Sequence, residues 1–150
     1  MFGDWQFNGT WNIASGNPAT ARVLGSYADV ARGSNGSLRA NSTGVPVDIS
    51  NPDVGQWFNT AAFSQPAPGQ FGNVGRNTIR GPAQITANLS VNKTFPFENG
   101  RSLNVRAQAS NWLNMAQFRG IDTTVNSPSF GRVTSAAAMR RIQIVARFNF

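Results

Sequence analysis

Chemistry in this chain has to be done with arginines, amides and aromatic rings. Histidine and cysteine are both absent. The commonest general base is therefore missing, and neither a disulfide framework nor a zinc site with the usual ligands can form. The six acids, Asp4, Asp29, Asp48, Asp53, Glu98 and Asp122, are scattered, with no pair at the spacing of a carboxylate dyad. These residues predict no catalysis, no metal and no cofactor. Twelve arginines and one lysine give a formal charge of +7. They form no basic run, so they read as charges on wet strand faces and loops, with no nucleic-acid partner expected. "GQFGNVG" (Gly69–Gly75) spaces its glycines by three. A dinucleotide loop needs a strand before it and a helix after it, and neither is expected there.

The elements that must position these groups are strands. In "DWQFNGTWNIAS", Trp5, Phe7, Gly9, Trp11 and Ile13 alternate with Gln6, Asn8, Thr10 and Asn12. "QITANLSVNK" sets Ile85, Ala87, Leu89 and Val91 against Thr86, Asn88, Ser90 and Asn92. "SLNVRAQASN" sets Leu103, Val105, Ala107 and Ala109 against Asn104, Arg106, Gln108 and Ser110. "RRIQIVARFNF" closes the chain with Ile142, Ile144, Ala146, Phe148 and Phe150 on one parity. A weaker candidate runs from Ala19 to Leu24. Period-two alternation of this kind predicts an all-β, antiparallel fold with one apolar and one polar face. A soluble sandwich and a membrane barrel both give that pattern.

Connection lengths separate the two. "SGNP" (Ser15–Pro18) and "FPFENGR" (Phe95–Arg101) are short and rich in turn residues. The intervening stretches, residues 25–80 and 114–139, are long. Short and long connections alternate in outer-membrane barrels, with short periplasmic turns and long extracellular loops. A ten-residue strand rises about 33 Å, and tilted by about 45° it spans roughly the apolar band of such a barrel. No run of 18 apolar residues exists for a transmembrane helix. With short turns on the periplasmic side, the last strand descends from outside, the fourth rises, the third descends, the second rises and the first descends.

The ordered segments are similar to a known family. "WFNTAAFSQPAPGQFGNVGRNTIRGP" (Trp57–Pro82), then "NLSVNKTFPF", "SLNVRAQASNWLNMAQF" and "TTVNSPSFGRVTSAAAMRRIQIVARFNF" resemble the end of TonB-dependent outer-membrane receptors. The resemblance is to the Oar-like type with carboxypeptidase-regulatory-like domains, as in Acidobacteria. "WQFNGTWNIASGNPAT" resembles a strand–turn–strand unit of the same region. The chain departs from the pattern at Gln108, where the family carries an acid, and in "AQITANLS", which is less aromatic.

The resemblance implies that residues 1–150 are the C-terminal segment of an up-and-down transmembrane barrel in the bacterial outer membrane, non-catalytic, taking up a solute. Family members close about 22 strands around a plug, which an energy-coupling inner-membrane complex pulls. About five strands cannot close, since the smallest barrels have about eight. The expected partners are therefore the remainder of the barrel and plug, the barrel-assembly machinery and outer-membrane lipid. Ile142, Ile144, Phe148 and Phe150 are expected to form the barrel-assembly signal or simply to face lipid. Arg106, Arg141 and Arg147 are expected to face the lumen. In the long loop, Trp57, Phe58, Phe63 and Phe71 are expected either to contact a ligand or to pack a small loop core. Two other functions fit the same residues: a self-assembling structural β-protein that pairs open edges between copies, and a soluble β-sandwich binding module.

Overall fold

The computed structural model describes residues 3–23 and 38–150. They form two compact units. One holds the long strands, from residues 1–14, 84–117 and 137–150; the other is made from residues 15–83 and 118–136.

The strand unit is a single antiparallel sheet of four strands: β1 (Trp5–Ala14), β2 (Gln84–Pro96), β3 (Ser102–Ser110) and β4 (Arg141–Asn149), paired in chain order. The register keeps most apolar positions in line. Phe7 lies opposite Val91, Val91 opposite Ala107, and Ala107 opposite Ile144. One step along, Gly9, Leu89, Ala109 and Ile142 form the next row. A one-residue slip in any pair would turn a whole strand over. The sheet is all-β and antiparallel, as the alternation predicts, and it does not close into a barrel.

The β2–β3 hairpin closes through Glu98–Gly100, with the Phe97 amide donating to the Arg101 carbonyl at 2.8 Å. Asn99 (φ 62°) and Gly100 (φ 76°) are both left-handed. Asn-Gly tolerates that conformation at little cost, which is why "ENG" turns the chain here. At its far end β3 stops at Asn111 (φ 49°). The Asn111 side chain accepts from the Met115 amide at 3.1 Å and donates to the Met115 carbonyl at 2.9 Å. Gln117, almost fully buried, accepts from the Ile85 amide at 2.8 Å.

The sheet corrects two sequence expectations. The weak strand from Ala19 to Leu24 is not part of it. Pro18–Ala19 pairs with Ile79–Arg80, and Arg22–Val23 pairs with Leu38–Arg39; Leu24 and residues 25–37 of the expected loop lie outside the described residues. Pro18 lacks an amide donor, and the polar–apolar alternation after it lasts too few residues to build a long ladder. Consequently "SGNP" is no hairpin: the whole stretch 15–83 is one long connection, and β1 pairs directly with β2. β1 therefore runs in the direction opposite to the one expected. The alternation of long, short and long connections survives, with four strands in place of five.

The second unit is built from both long connections. Its core is Ala21, Val23, Leu38, Ala40, Phe58, Ala62, Phe63, Val74 and Ile79, with Ile121, Val125 and Phe130 packed against it. Backbone hydrogen bonds join the two connections: the Arg22 amide to Thr123 O (3.0 Å), the Val125 amide to Arg22 O (2.9 Å) and the Trp57 amide to Gly131 O (2.7 Å). Phe58, Phe63 and Phe130 meet edge-on, with centroids 5.3 to 6.2 Å apart. This is favourable geometry for aromatic quadrupoles. Gly72 has no room for a side chain, because a Cβ there would overlap the carbonyl oxygens of Arg39 and Ala40.

Candidate membrane-spanning surface

The sheet presents its apolar face to the surroundings. Phe7 is 68% exposed, Trp11 58%, Ile142 62% and Ile144 71%. Aligned by the register, these side chains form one continuous apolar surface. A soluble protein seldom leaves such a patch open, because it would recruit other molecules.

The residues on this face are sorted by height. Near the β2–β3 hairpin lie Trp5, Phe7, Phe95, Phe97, Phe148 and Phe150. Trp5 stacks near Phe7 (6.3 Å) and Phe148 near Phe150 (6.4 Å), while Phe97 meets Phe148 at a tilt (6.2 Å). At the opposite end Trp11 meets Trp112 edge-on at 6.5 Å. Between the belts the side chains are aliphatic or small: Gly9, Leu89, Val91, Ala107, Ala109, Ile142 and Ile144. Trp5 and Trp11 are six positions apart, about 20 Å along the strand and about 14 Å along the bilayer normal at a tilt of about 45°. Aromatic belts bounding an aliphatic band match the layering of a bilayer, where amphipathic rings settle at the headgroup level.

Lys93 breaks the apolar parity. It lies opposite Trp5 and Val105 in the register and is 9% exposed. Its Nζ sits 4.8 Å from the Trp5 ring centroid and 5.1 Å from that of Phe95. Two ring faces supply negative quadrupole to the cation. At belt height a lysine also costs far less than at mid-bilayer. Sequence reasoning missed this residue. The signal was available as a lone lysine on the apolar parity, two residues before Phe95.

The other face is polar. Side-chain hydrogen bonds cross it from strand to strand: Asn92 to Gln6 (3.4 Å), Asn104 to Thr94 (2.9 Å), Gln108 to Gln143 (3.0 Å) and Asn149 to Ser102 (3.2 Å). Arg106, Arg141 and Arg147 belong to this parity. Arg106 lies opposite Val145, between the rows of Arg141 and Arg147. Amide and hydroxyl ladders suit a wet surface, where each partner can also bond water.

Among the described residues, β1 and β4 are each paired on one side only. Ile142, Ile144 and Phe148 lie on the open strand β4, and Phe150 beyond it is fully exposed. Of the four loop aromatics, Phe58 and Phe63 are core residues at 2% and 6% exposure, so they pack and are not offered to a ligand. The Trp57 indole donates to the Arg80 carbonyl at 3.0 Å. Phe71 stands free at 74% exposure.

The loop unit also holds a polar cluster that the sequence did not reveal. Asp122 accepts from the hydroxyls of Ser127 and Ser129 (2.6 Å for the latter) and from the Thr124 amide at 2.9 Å. Desolvation pushes its carboxyl up, but the hydrogen bonds from Ser127, Ser129 and Thr124 outweigh it and hold the carboxyl below its ordinary value.

A one-sided apolar sheet with aromatic belts defines the class as a membrane β-sheet protein. The chain belongs to the outer membrane beta barrel domain family, whose family model matches residues 1–143. Its location is accordingly the bacterial outer membrane. No curated protein and no solved structure matches the chain.

Proposed function

We propose that the chain is the C-terminal barrel segment of a TonB-dependent outer-membrane receptor that takes up a solute without catalysis. The observation that carries this reading is the four-stranded sheet with one apolar and one polar face and, among the described residues, two open edges. In lipid an open edge leaves backbone groups unsatisfied, at several kcal/mol each. Such a sheet requires further strands, and in a receptor the remainder of the barrel supplies them. The belts then contact outer-membrane lipid. Arg106, Arg141 and Arg147 face the lumen, where they meet solute or plug. The β2–β3 hairpin is periplasmic and both long connections are extracellular. β4, with Ile142, Ile144, Phe148 and Phe150, presents the alternating edge on which barrel-assembly machinery can act by strand addition. The energy-coupling inner-membrane complex acts through the plug.

The same open edges support a second reading, in which copies of this chain pair with one another into an oligomer or filament. An immunoblot of outer-membrane fractions with an antibody against residues 140–150 decides between them. The receptor reading expects a band several times larger than 16.1 kDa. A single band at the size of this chain would overturn it and leave self-assembly.

A further inference from the structure

We propose that the loop unit carries an anion-binding cleft at Arg22, Arg39 and Arg76, which takes a solute bearing several phosphate- or carboxylate-type oxyanion groups. A cleft of about 520 Å³ opens among Thr20, Arg22, Arg39, Arg76, Asn77 and Thr123. That size suits a small ligand. Three arginines line it.

The arrangement is costly unless an anion is present. Arg22 lies directly opposite Arg39 in an antiparallel pair, and like charges so placed destabilise a sheet. The next pair, Val23 with Leu38, is buried in the unit's core and fixes the register that forces the two arginines together. Arg39 is further anchored, since its Nη1 donates to the Val74 carbonyl at 3.0 Å. Arg76 enters from a turn held by the Asn77 amide, which donates to Thr20 Oγ1 at 2.8 Å. Among the described residues no acid lines the cleft. Asp122, next in sequence to Thr123, has its carboxylate taken by Ser127, Ser129 and Thr124.

Three arginines lining one cleft, with no acid among its described lining residues, match an oxyanion, which guanidinium forks bind in paired hydrogen bonds. That the anion is a captured solute rests on the transport reading above. That the cleft binds anions stands on the loop unit alone.

The test is calorimetric titration of the protein that carries this chain, purified from outer membranes in detergent micelles, with inorganic tripolyphosphate at low and high salt. Saturable binding is expected, weakening with salt and falling by about tenfold or more in the Arg22→Gln/Arg39→Gln variant. The Arg101→Gln/Arg140→Gln variant removes the same charge from the strand unit and should bind like wild type. Arg39→Lys keeps charge but loses the planar fork, and should bind more weakly. Relief of the Arg22–Arg39 repulsion should leave the first variant melting no lower than wild type, so lost binding there reports the site and not the fold. The proposal is overturned by absence of saturable binding, by equal weakening in the two double variants, or by association only with vesicles of anionic phospholipid and not with soluble tripolyphosphate. A small band in the blot with intact titration would sink the receptor reading and leave the cleft. A large band with no titration would do the reverse.

Discussion

The two units of this chain treat their apolar side chains in opposite ways. The sheet unit turns Phe7, Trp11, Ile13, Ile142 and Ile144 outward. The loop unit turns Val23, Phe58, Phe63, Val74 and Ile79 inward and leaves its arginines outside. Hydrophobic burial in water explains the second and fails for the first. The difference teaches that two solvents shaped one sequence. Where the solvent is lipid, the backbone must satisfy itself laterally and the side chains may face out. Where it is water, a core must form even within what connects the strands.

Breaking each unit by its own rule sharpens the contrast. The largest effect is expected from Phe58→Ala, which removes the ring shared by the Phe63 and Phe130 contacts and costs about 3–5 kcal/mol. Protease cleavage within residues 38–83 should rise steeply, while Phe71→Ala should leave it unchanged. Next comes Ile144→Arg, in the aliphatic band, at about 2–4 kcal/mol. Gln143→Arg, one residue away on the polar face, should cost almost nothing, as read by urea titration, in lipid vesicles, of the protein purified from outer membranes. If the two arginine variants behave alike, the lipid-facing assignment is wrong. Lys93→Ala should be milder, about 0.5–2 kcal/mol from the lost contacts with Trp5 and Phe95, and should alter Trp5 fluorescence. The smallest effect concerns Asp122. Its carboxyl is lowered in the folded chain, so its hydrogen bonds stabilise the loop unit above the ordinary carboxylate value. That contribution is lost as pH falls through the lowered value. Melting of wild type and Asp122→Asn should therefore converge at acid pH and separate near neutrality.

Much of the sheet was legible because strand period is a local property. Trp5 to Ile13, Ile85 to Val91, Leu103 to Ala109 and Ile142 to Phe148 each declare their own faces. The connectivity of β1 was not legible. "SGNP" has turn chemistry, yet Pro18 and Ala19 pair with Arg80 and Ile79, far along the chain, and no local pattern announces so distant a partner. The loop core was hidden for the same reason. Val23, Phe58 and Ile79 share no period, and Phe130 reaches them from the other connection. The three arginines of the cleft are equally dispersed in sequence. Only folding converges them, which is why a reading based on basic runs passed over them.

The stitching of residues 15–83 to 118–136 has a consequence for how this surface can change. A loop that packed only on itself could be exchanged alone, as a cassette. Here the first connection carries the buried core, Ile121, Val125 and Phe130 of the second cover it, and Arg22 takes its backbone partners from Thr123 and Val125. Transplanting one connection onto another scaffold would strand exposed phenylalanines. Diversification of this surface therefore has to move both connections together, or confine itself to outward positions such as Phe71 and Arg76.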